Sequence, residues 1–154
     1  MIELICIGTL ITIVIIISDR KKSKKYRKKH KTPKQKGIEG ENVISNIIQY
    51  APMYKKIVRN AYIDMNENKK TEIDIIAIST KGIYVIESKN YEGWILGDEK
   101  SNQWCQNIYN KKSYFYNPIK QNQTHIKSIN KILQLDEKMY ESLIIFNKAE
   151  IKCL

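Results

Sequence analysis

The chain has 154 residues, room for one compact domain of ordinary size, and a formal charge of +11. Its three cysteines, Cys6, Cys105 and Cys153, are far apart and odd in number, which excludes a disulfide framework and a paired zinc site and suits a reducing compartment. The charge is concentrated: between Asp19 and Lys36 eleven Lys/Arg stand against one Asp, a net of +10, leaving +1 for the other 136 residues. A broadly basic folded surface is thereby excluded, and any affinity for phosphate in the domain must come from placed residues or a bound cation.

Residues 1–17, MIELICIGTLITIVIII, carry one charge, Glu3, in an almost unbroken apolar run. The run sits at the short end of the ~17 to 25 residues that cross a bilayer, and it predicts a transmembrane anchor over residues 1–18. A secretory signal peptide would place cations before the apolar run and a small-residue cleavage site after it. Here the cations follow and no such site appears. A buried core strand or helix is a weaker alternative, because the run is uniformly apolar and stops at a dense cationic block. Lys/Arg-rich flanks stay on the cytoplasmic side, so the expectation is a single-pass cell-membrane protein with its N-terminus out and its domain in the cytoplasm. Residues 19–36 form a basic linker, disordered or loosely helical, with a break at Thr32-Pro33. Its cations from 20 to 36 would hold anionic lipid, at about 1 kcal/mol each near the surface, in preference to serving as a dedicated nucleic-acid arm.

The domain spans residues 37–154. Gly37-Ile-Glu-Gly40 leads into a first helix in which Ile44, Ile47 and Ile48 recur at helical spacing and which Pro52 closes. Glu41 falls on the same apolar stripe, where a carboxylate is costly unless it is paired, reaches the edge or binds something. Strands follow at Tyr54 to Ile63, Glu72 to Ser79 and Ile83 to Lys89, the last two joined by the short turn Ser79-Thr-Lys-Gly82. Segments around Gly93 to Gly97 and Gln103-Trp-Cys105 suggest a smaller hairpin turning at Asp98 to Asn102. Asn117-Pro118 starts a second helix with Ile119, Ile126, Ile129 and Leu133 on its buried side. Ser142 to Phe146 is a last buried strand. The order predicts an α/β layer architecture around a mixed sheet.

The informative feature is charge embedded in apolar strands, at Glu72-Ile-Asp74 and Glu87-Ser-Lys89. Period-two geometry puts Glu72 with Asp74 on one face, and Glu87 with Lys89 on one face of the next strand. A turn about Thr80-Lys81 sets Asp74 opposite Glu87 and Glu72 opposite Lys89, with Cβ atoms about 4.5 to 5.5 Å apart, unless a bulge at Gly82 shifts the register. Two carboxylates so placed repel unless one is protonated or a cation lies between them. Oxygen-only ligands suit Mg²⁺ or Mn²⁺, with Asp74 and Glu87 as the metal pair and Lys89 as a transition-state cation. A cross-strand salt-bridge quartet on an exposed face accounts for the same pattern equally well.

Beyond that pattern, the ordered set Gly40-Glu41, Glu72-Ile-Asp74, Gly82-Ile-Tyr-Val-Ile-Glu87-Ser-Lys89-Asn90-Tyr91-Glu-Gly93, Trp104 and Asn117-Pro118-Ile-Lys-Gln121 resembles the nuclease-related domain (NERD) family of the PD-(D/E)xK superfamily, over roughly residues 37 to 147. The resemblance implies a restriction-endonuclease-like mixed sheet with a helix-strand-strand-strand-helix-strand core, to which the transmembrane helix would be added. It implies a Mg²⁺-dependent nuclease acting on DNA, or less readily RNA. Asp74 and Glu87 would be its metal carboxylates, Lys89 its catalytic lysine, and Glu41 the helix-borne acid. Gln121, with Asn117, matches the polar motif opening the second helix, contacting substrate or buttressing the site, and Glu72 becomes a neighbour pairing with Lys89. Ser88 departs mildly from the small residue, often Thr, of the family pattern. A non-catalytic, membrane-tethered nucleic-acid-binding or recruitment module is the competing expectation.

Other residues take plainer readings. His125 lies four after Gln121 on one helical face, where it could line the cleft, but an isolated histidine is more often a surface or capping residue, and that is the expectation taken. Trp94 and Trp104 are expected to pack the extra hairpin, and Tyr109, Tyr114 and Tyr116 to be ordinary strand aromatics rather than base-stacking platforms.

Overall fold

Isoleucine recurs through the domain's strand segments, and β-branched side chains favour extended backbone and pack well on a pleated surface. A computed structural model describes residues 13–16, 31–52, 55–66 and 69–153. Its elements in chain order are β1 (Ile13–Ile16), α1 (Pro33–Tyr50), β2 (Lys55–Asn66), β3 (Lys69–Ser79), β4 (Gly82–Leu96), β5 (Gln103–Ile108), β6 (Lys111–Tyr116), α2 (Pro118–Leu133), a 3-10 turn at Glu137–Met139, and β7 (Tyr140–Cys153). The strands form one mixed sheet in the order β1-β7-β4-β3-β2, with β5 added to β4 and β6 to β5. The β1–β7 and β4–β7 pairs are parallel, and the others antiparallel.

The two helices cover opposite faces. Ile44 of α1 packs with Ile75, Ala77, Ile86 and Ile145, while Ile129 of α2 packs with Ile73, Ile76, Ile83 and Val85. A third cluster under the start of α2 joins Ile119, Ile144 and Phe146 to Trp104, which is fully buried and stacked 6.1 Å from the Phe146 ring. Each fully buried side chain of this size contributes about 1.5–3 kcal/mol. Trp104 is therefore packing, as expected, but Trp94 is half exposed with Lys152 over its ring.

Several boundaries differ from the expectation. Helix α1 starts at Pro33, inside the stretch assigned to the linker. The Thr32 hydroxyl accepts the Gln35 N–H (3.2 Å) and the Gln35 amide oxygen accepts the Thr32 N–H (2.9 Å), so Thr32-Pro33 is a helix start with a capping box. The buried stripe of α1 runs through Gly40, Ile44 and Ile48 and turns toward Glu41 and Ser45; Ile47 lies off it, 51% exposed. On α2 the buried positions are Pro118, Ile119, Asn122, His125, Ser128 and Ile129, and Leu133 is exposed. Strands β4 and β7 run well beyond their apolar cores, and β6 was anticipated only through the strand aromatics Tyr114 and Tyr116, without a strand range of its own. Of the apolar run expected to span a membrane, Ile13–Ile16 pair with Leu143 to Phe146, and the rest lies outside the described residues. No helix among the described residues is long and apolar enough to cross a membrane.

The β3–β4 hairpin has the anticipated register, from Ser79↔Gly82 to Ile75↔Ile86, without a bulge at Gly82. There the ladder ends: β3 continues alongside β2, and β4 alongside β7. Helix α1 reaches this fork because Gly40 allows close approach. A Cβ there would lie 2.7 Å from Asn147 Nδ2 and 3.0 Å from Asn90 Cβ. Gly40→Ala is expected to lift α1 off the sheet and lower stability by roughly 1–3 kcal/mol, measured by urea denaturation; an unchanged midpoint would show that the contact relaxes freely.

Candidate active site

The fork between β3 and β4 is where the charged residues gather. Asp74 stands one residue beyond the last ladder pair, and its Oδ2 accepts the Ser88 backbone N–H at 2.8 Å. Opposite it on β2, between the pairs Arg59↔Ile75 and Ala61↔Ile73, Asn60 adopts a left-handed backbone with φ of +49°. This conformation costs energy for a side-chain-bearing residue, though Asn tolerates it better than most. The alternation of β3 breaks at the same place, since Ile73 and Ile76 share one face while Ile75 and Ala77 share the other.

Glu87 is 2% exposed, and both of its oxygens are occupied. Lys89 Nζ donates to Oε1 at 2.5 Å, and His125 Nε2 lies 3.2 Å from Oε2. Lys89 Nζ also donates to Gln121 Oε1 at 3.2 Å, and His125 Nδ1 is 2.8 Å from Thr71 Oγ1. Glu41, on the first helix, accepts a hydrogen bond from Asn60 Nδ2 at 3.0 Å and sits 4.0 Å from Arg59 Nη2.

All five residues singled out from the sequence thus belong to one neighbourhood, through two sets of contacts. Glu87, Lys89 and Gln121 bond directly. Asp74 is tied to Ser88 and feels the charges of Glu87, Lys89 and Glu41. Glu72 does not face Lys89, because the strands have already parted. It approaches Asn60 Nδ2 at 3.5 Å and stands opposite Tyr62 in the β2–β3 ladder, where its carboxylate helps to raise the phenol's pKa. Nor does Asn117 reach the site: it caps α2 through Ile119 N–H and holds the 98–101 loop by donating to the Asp98 and Ser101 carbonyls. The sequence reading also missed partners. His125 is a buried neighbour of Glu87, 3% exposed, rather than a surface residue or cap. Its spacing from Gln121 was the available signal. Thr71 and Asn60 carried none, since a strand threonine and a strand asparagine announce no contact.

The two acids are driven apart electrostatically. Burial, then the charge of Glu87, pushes Asp74 up to about 7, against the opposing Ser88 N–H and Lys89. Burial also works against ionisation of Glu87, but the His125 hydrogen bond and the charge and hydrogen bond of Lys89 outweigh it, and its carboxyl lies below the usual range. A buried ionised carboxylate at Glu87 thus sits beside a proton-holding one at Asp74.

A mixed sheet with helices on both faces, forking at an acid pair with a lysine two residues beyond the second acid, defines a nuclease-like α/β domain. The chain belongs to the nuclease-related domain family, whose model matches residues 36–147. It is also 38% identical over 133 residues to an uncharacterised protein of Bacillus anthracis, covering 86% of this chain. The chain spans 58% of that relative's length. No solved structure matches it significantly. A nuclease-related function follows from the family.

The raised Asp74 gives a signed prediction. A carboxyl whose folded pKa lies above its unfolded value contributes stability that is complete below the unfolded value and lost as pH rises through the folded one. In the metal-free protein Asp74→Asn, whose amide oxygen can still accept from Ser88, should therefore be more stable than wild type. The advantage should grow from nothing near pH 4, the ordinary carboxylate range, to roughly 2–4 kcal/mol above pH 7. Denaturant titrations across that range measure it, and a difference independent of pH would remove the buried acid pair as its source.

Proposed function

We propose that this protein is a Mg²⁺- or Mn²⁺-dependent nuclease that hydrolyses phosphodiester bonds of DNA, with RNA as a second possible substrate. One observation carries the reading: Asp74 is half-buried beside ionised Glu87, and among the described residues no cation is ion-paired to it, since Lys89, whose charge it feels, is engaged by Glu87 and Gln121. A divalent ion between the two acids would relieve that excess of negative charge. The donor set fits such an ion. Among the described residues no three His, Cys, Asp or Glu close into a metal cage. Two carboxylates, completed by water and substrate phosphate oxygens, are what Mg²⁺ uses in phosphoryl-transfer sites. Asp74 would supply one ligand and Glu87 the other, each Glu87 oxygen keeping a second acceptor position beyond its present hydrogen bond. The ion supplies Lewis-acid neutralisation of the phosphate and acidifies water at neutral pH.

This chain's own residues do the rest. Lys89, fixed by Glu87 and Gln121, presents an ammonium to the charge that develops on the phosphorus oxygens. Water oxygen would form the new bond to phosphorus and release a proton to solvent, the bond to the leaving sugar oxygen would break, and that oxygen would take up a proton from solvent. Glu41, oriented by Asn60, adds a third carboxylate near Asp74 to orient water or a second cation. Beside the site a cleft of about 500 Å³, lined by Lys31, Lys36, Ser88, Lys89, Asn90 and Gln106, offers room for a strand with cations at its edge.

Cleavage of single- and double-stranded DNA and of RNA by the full chain with Mg²⁺ or Mn²⁺ tests the reading. Asp74→Ala, Glu87→Ala and Lys89→Ala should each lower kcat at least 10²-fold with little change in substrate affinity. Metal-independent binding without turnover would instead establish a recruitment module.

We also propose that the chain is tethered to the cell membrane, with the domain in the cytoplasm. The support is the apolar run at residues 1–17 and the net +10 that follows it, which would also hold anionic lipid. The β1–β7 pairing competes with this state. Ile13–Ile16 belong to the apolar run of residues 1–17, and residues held in the sheet cannot also lie in a bilayer, so tethering through that run requires β1 to leave β7. Fractionation of cells expressing the full chain should place it with membranes and release it only with detergent. Recovery in the soluble fraction would favour the sheet strand.

A further inference from the structure

We infer that His125 is a positioning residue for the site, setting the Glu87 carboxylate for cation binding through a buried chain that runs Thr71–His125–Glu87. The inference rests on the reading that Asp74 and Glu87 hold a divalent ion. Thr71 lies on β3 and Glu87 on β4, beyond the point where these strands stop pairing. The imidazole, carried by α2, fills that gap, with Nδ1 2.8 Å from Thr71 Oγ1 and Nε2 3.2 Å from Glu87 Oε2. It ties three separate elements together at the fork and is 3% exposed.

Hydrogen-bond capacity fixes the direction of the chain. Glu87, ion-paired to Lys89, accepts at Oε2, so Nε2 carries a hydrogen; in the neutral imidazole Nδ1 is then a lone pair, and the Thr71 hydroxyl donates to it. Every group in the chain is satisfied this way. Glu87 is consequently held by two donors, His125 on one oxygen and Lys89 on the other, which removes its freedom to rotate about the terminal bond. An imidazole bonded to a metal-binding carboxylate in this manner orients the ligand without touching the ion, and loss of such partners typically costs about 10- to 100-fold in metal affinity. A buried histidine retained only for packing would show no such linkage.

The test uses the full chain, Mn²⁺ as the probe, and His125→Ala, His125→Gln and Thr71→Val. Calorimetry should show Mn²⁺ affinity falling ~10- to 100-fold in His125→Ala. It should recover in part in His125→Gln, whose amide can still donate to Glu87, and fall less in Thr71→Val. Metal-free thermal melts check that each variant is folded. Ring ¹⁵N shifts of the metal-free wild type should place the hydrogen on Nε2, a readout that survives even if His125→Ala does not fold. Wild-type Mn²⁺ affinity in folded His125→Ala, or the hydrogen on Nδ1, overturns the positioning role while leaving the nuclease reading intact. No Mn²⁺ binding by the wild type overturns the cation site itself, and the inference with it.

Discussion

Asp74 and Glu87 are two carboxyl groups held close together where β3 and β4 separate, and much of the surrounding structure exists to make that arrangement tolerable. An isolated buried carboxylate costs several kcal/mol, and a second one nearby raises the cost. The protein does not solve this with one shared counter-ion. Asp74 receives a single backbone N–H and holds its proton up to about pH 7, whereas Glu87 receives an ammonium and an imidazole and stays ionised. Similar side chains thus acquire different states from unequal shares of hydrogen-bond donors. The unequal division also leaves one acid under-compensated, which is the condition a cation site needs.

The fork that creates this environment is built from the backbone. A continuous β3–β4 ladder would have sealed Asp74 against Glu87 and turned Ser88 N–H toward a carbonyl. Ending it at Ile75↔Ile86 frees that N–H for the Asp74 side chain and opens space for the imidazole. The sheet keeps its integrity because each strand finds another partner, β3 with β2 and β4 with β7. At the fork the backbone strain falls on Asn60, whose left-handed conformation lies opposite the break and whose side chain secures Glu41. On the other face, Asn122 donates to the Val85 carbonyl and to Ser142, fixing α2 to the two central strands so that Gln121 and His125 arrive in register.

How much of this was legible depended on whether a feature is encoded in period or in contact. Alternating isoleucines and a four-residue turn contain the register of the hairpin, and the acid and lysine positions follow from it. Where the ladder ends is not in that pattern: β4 keeps β7 on its other edge on both sides of the break, and the break falls where β3 carries Asp74 opposite the left-handed Asn60 of β2. The pairing of Glu72 with Lys89 was accordingly misplaced. The β5–β6 hairpin was half visible: its turn residues Tyr109 and Asn110 both have positive φ, at 47° and 64°, but a tyrosine there hides the usual Asn-Gly signature. Pro33 looked like a break because proline ends helices as readily as it starts them. Only the Thr32 and Gln35 side chains, reciprocally bonded, decide between the two. His125 was undervalued for a similar reason, since one isolated histidine on a helix has no meaning until the strand beneath it is known.

The shift of the helix start changes what the positive charge can do. With the whole block confined to a linker, its cations had no fixed relation to the acids. Because α1 begins at Pro33, Lys31 and Lys36 become the edge of the cleft that Lys89 also lines, and Asn90 Nδ2 fastens the Lys36 carbonyl at 2.5 Å. The basic segment therefore ends on the rim of the site. A domain that is otherwise nearly neutral has little attraction for a phosphate backbone at a distance beyond the ~8–10 Å Debye length. In the proposed nuclease, Lys31 just before the first helix and Lys36 within it would provide that attraction locally, next to an acid pair that would alone repel such a substrate.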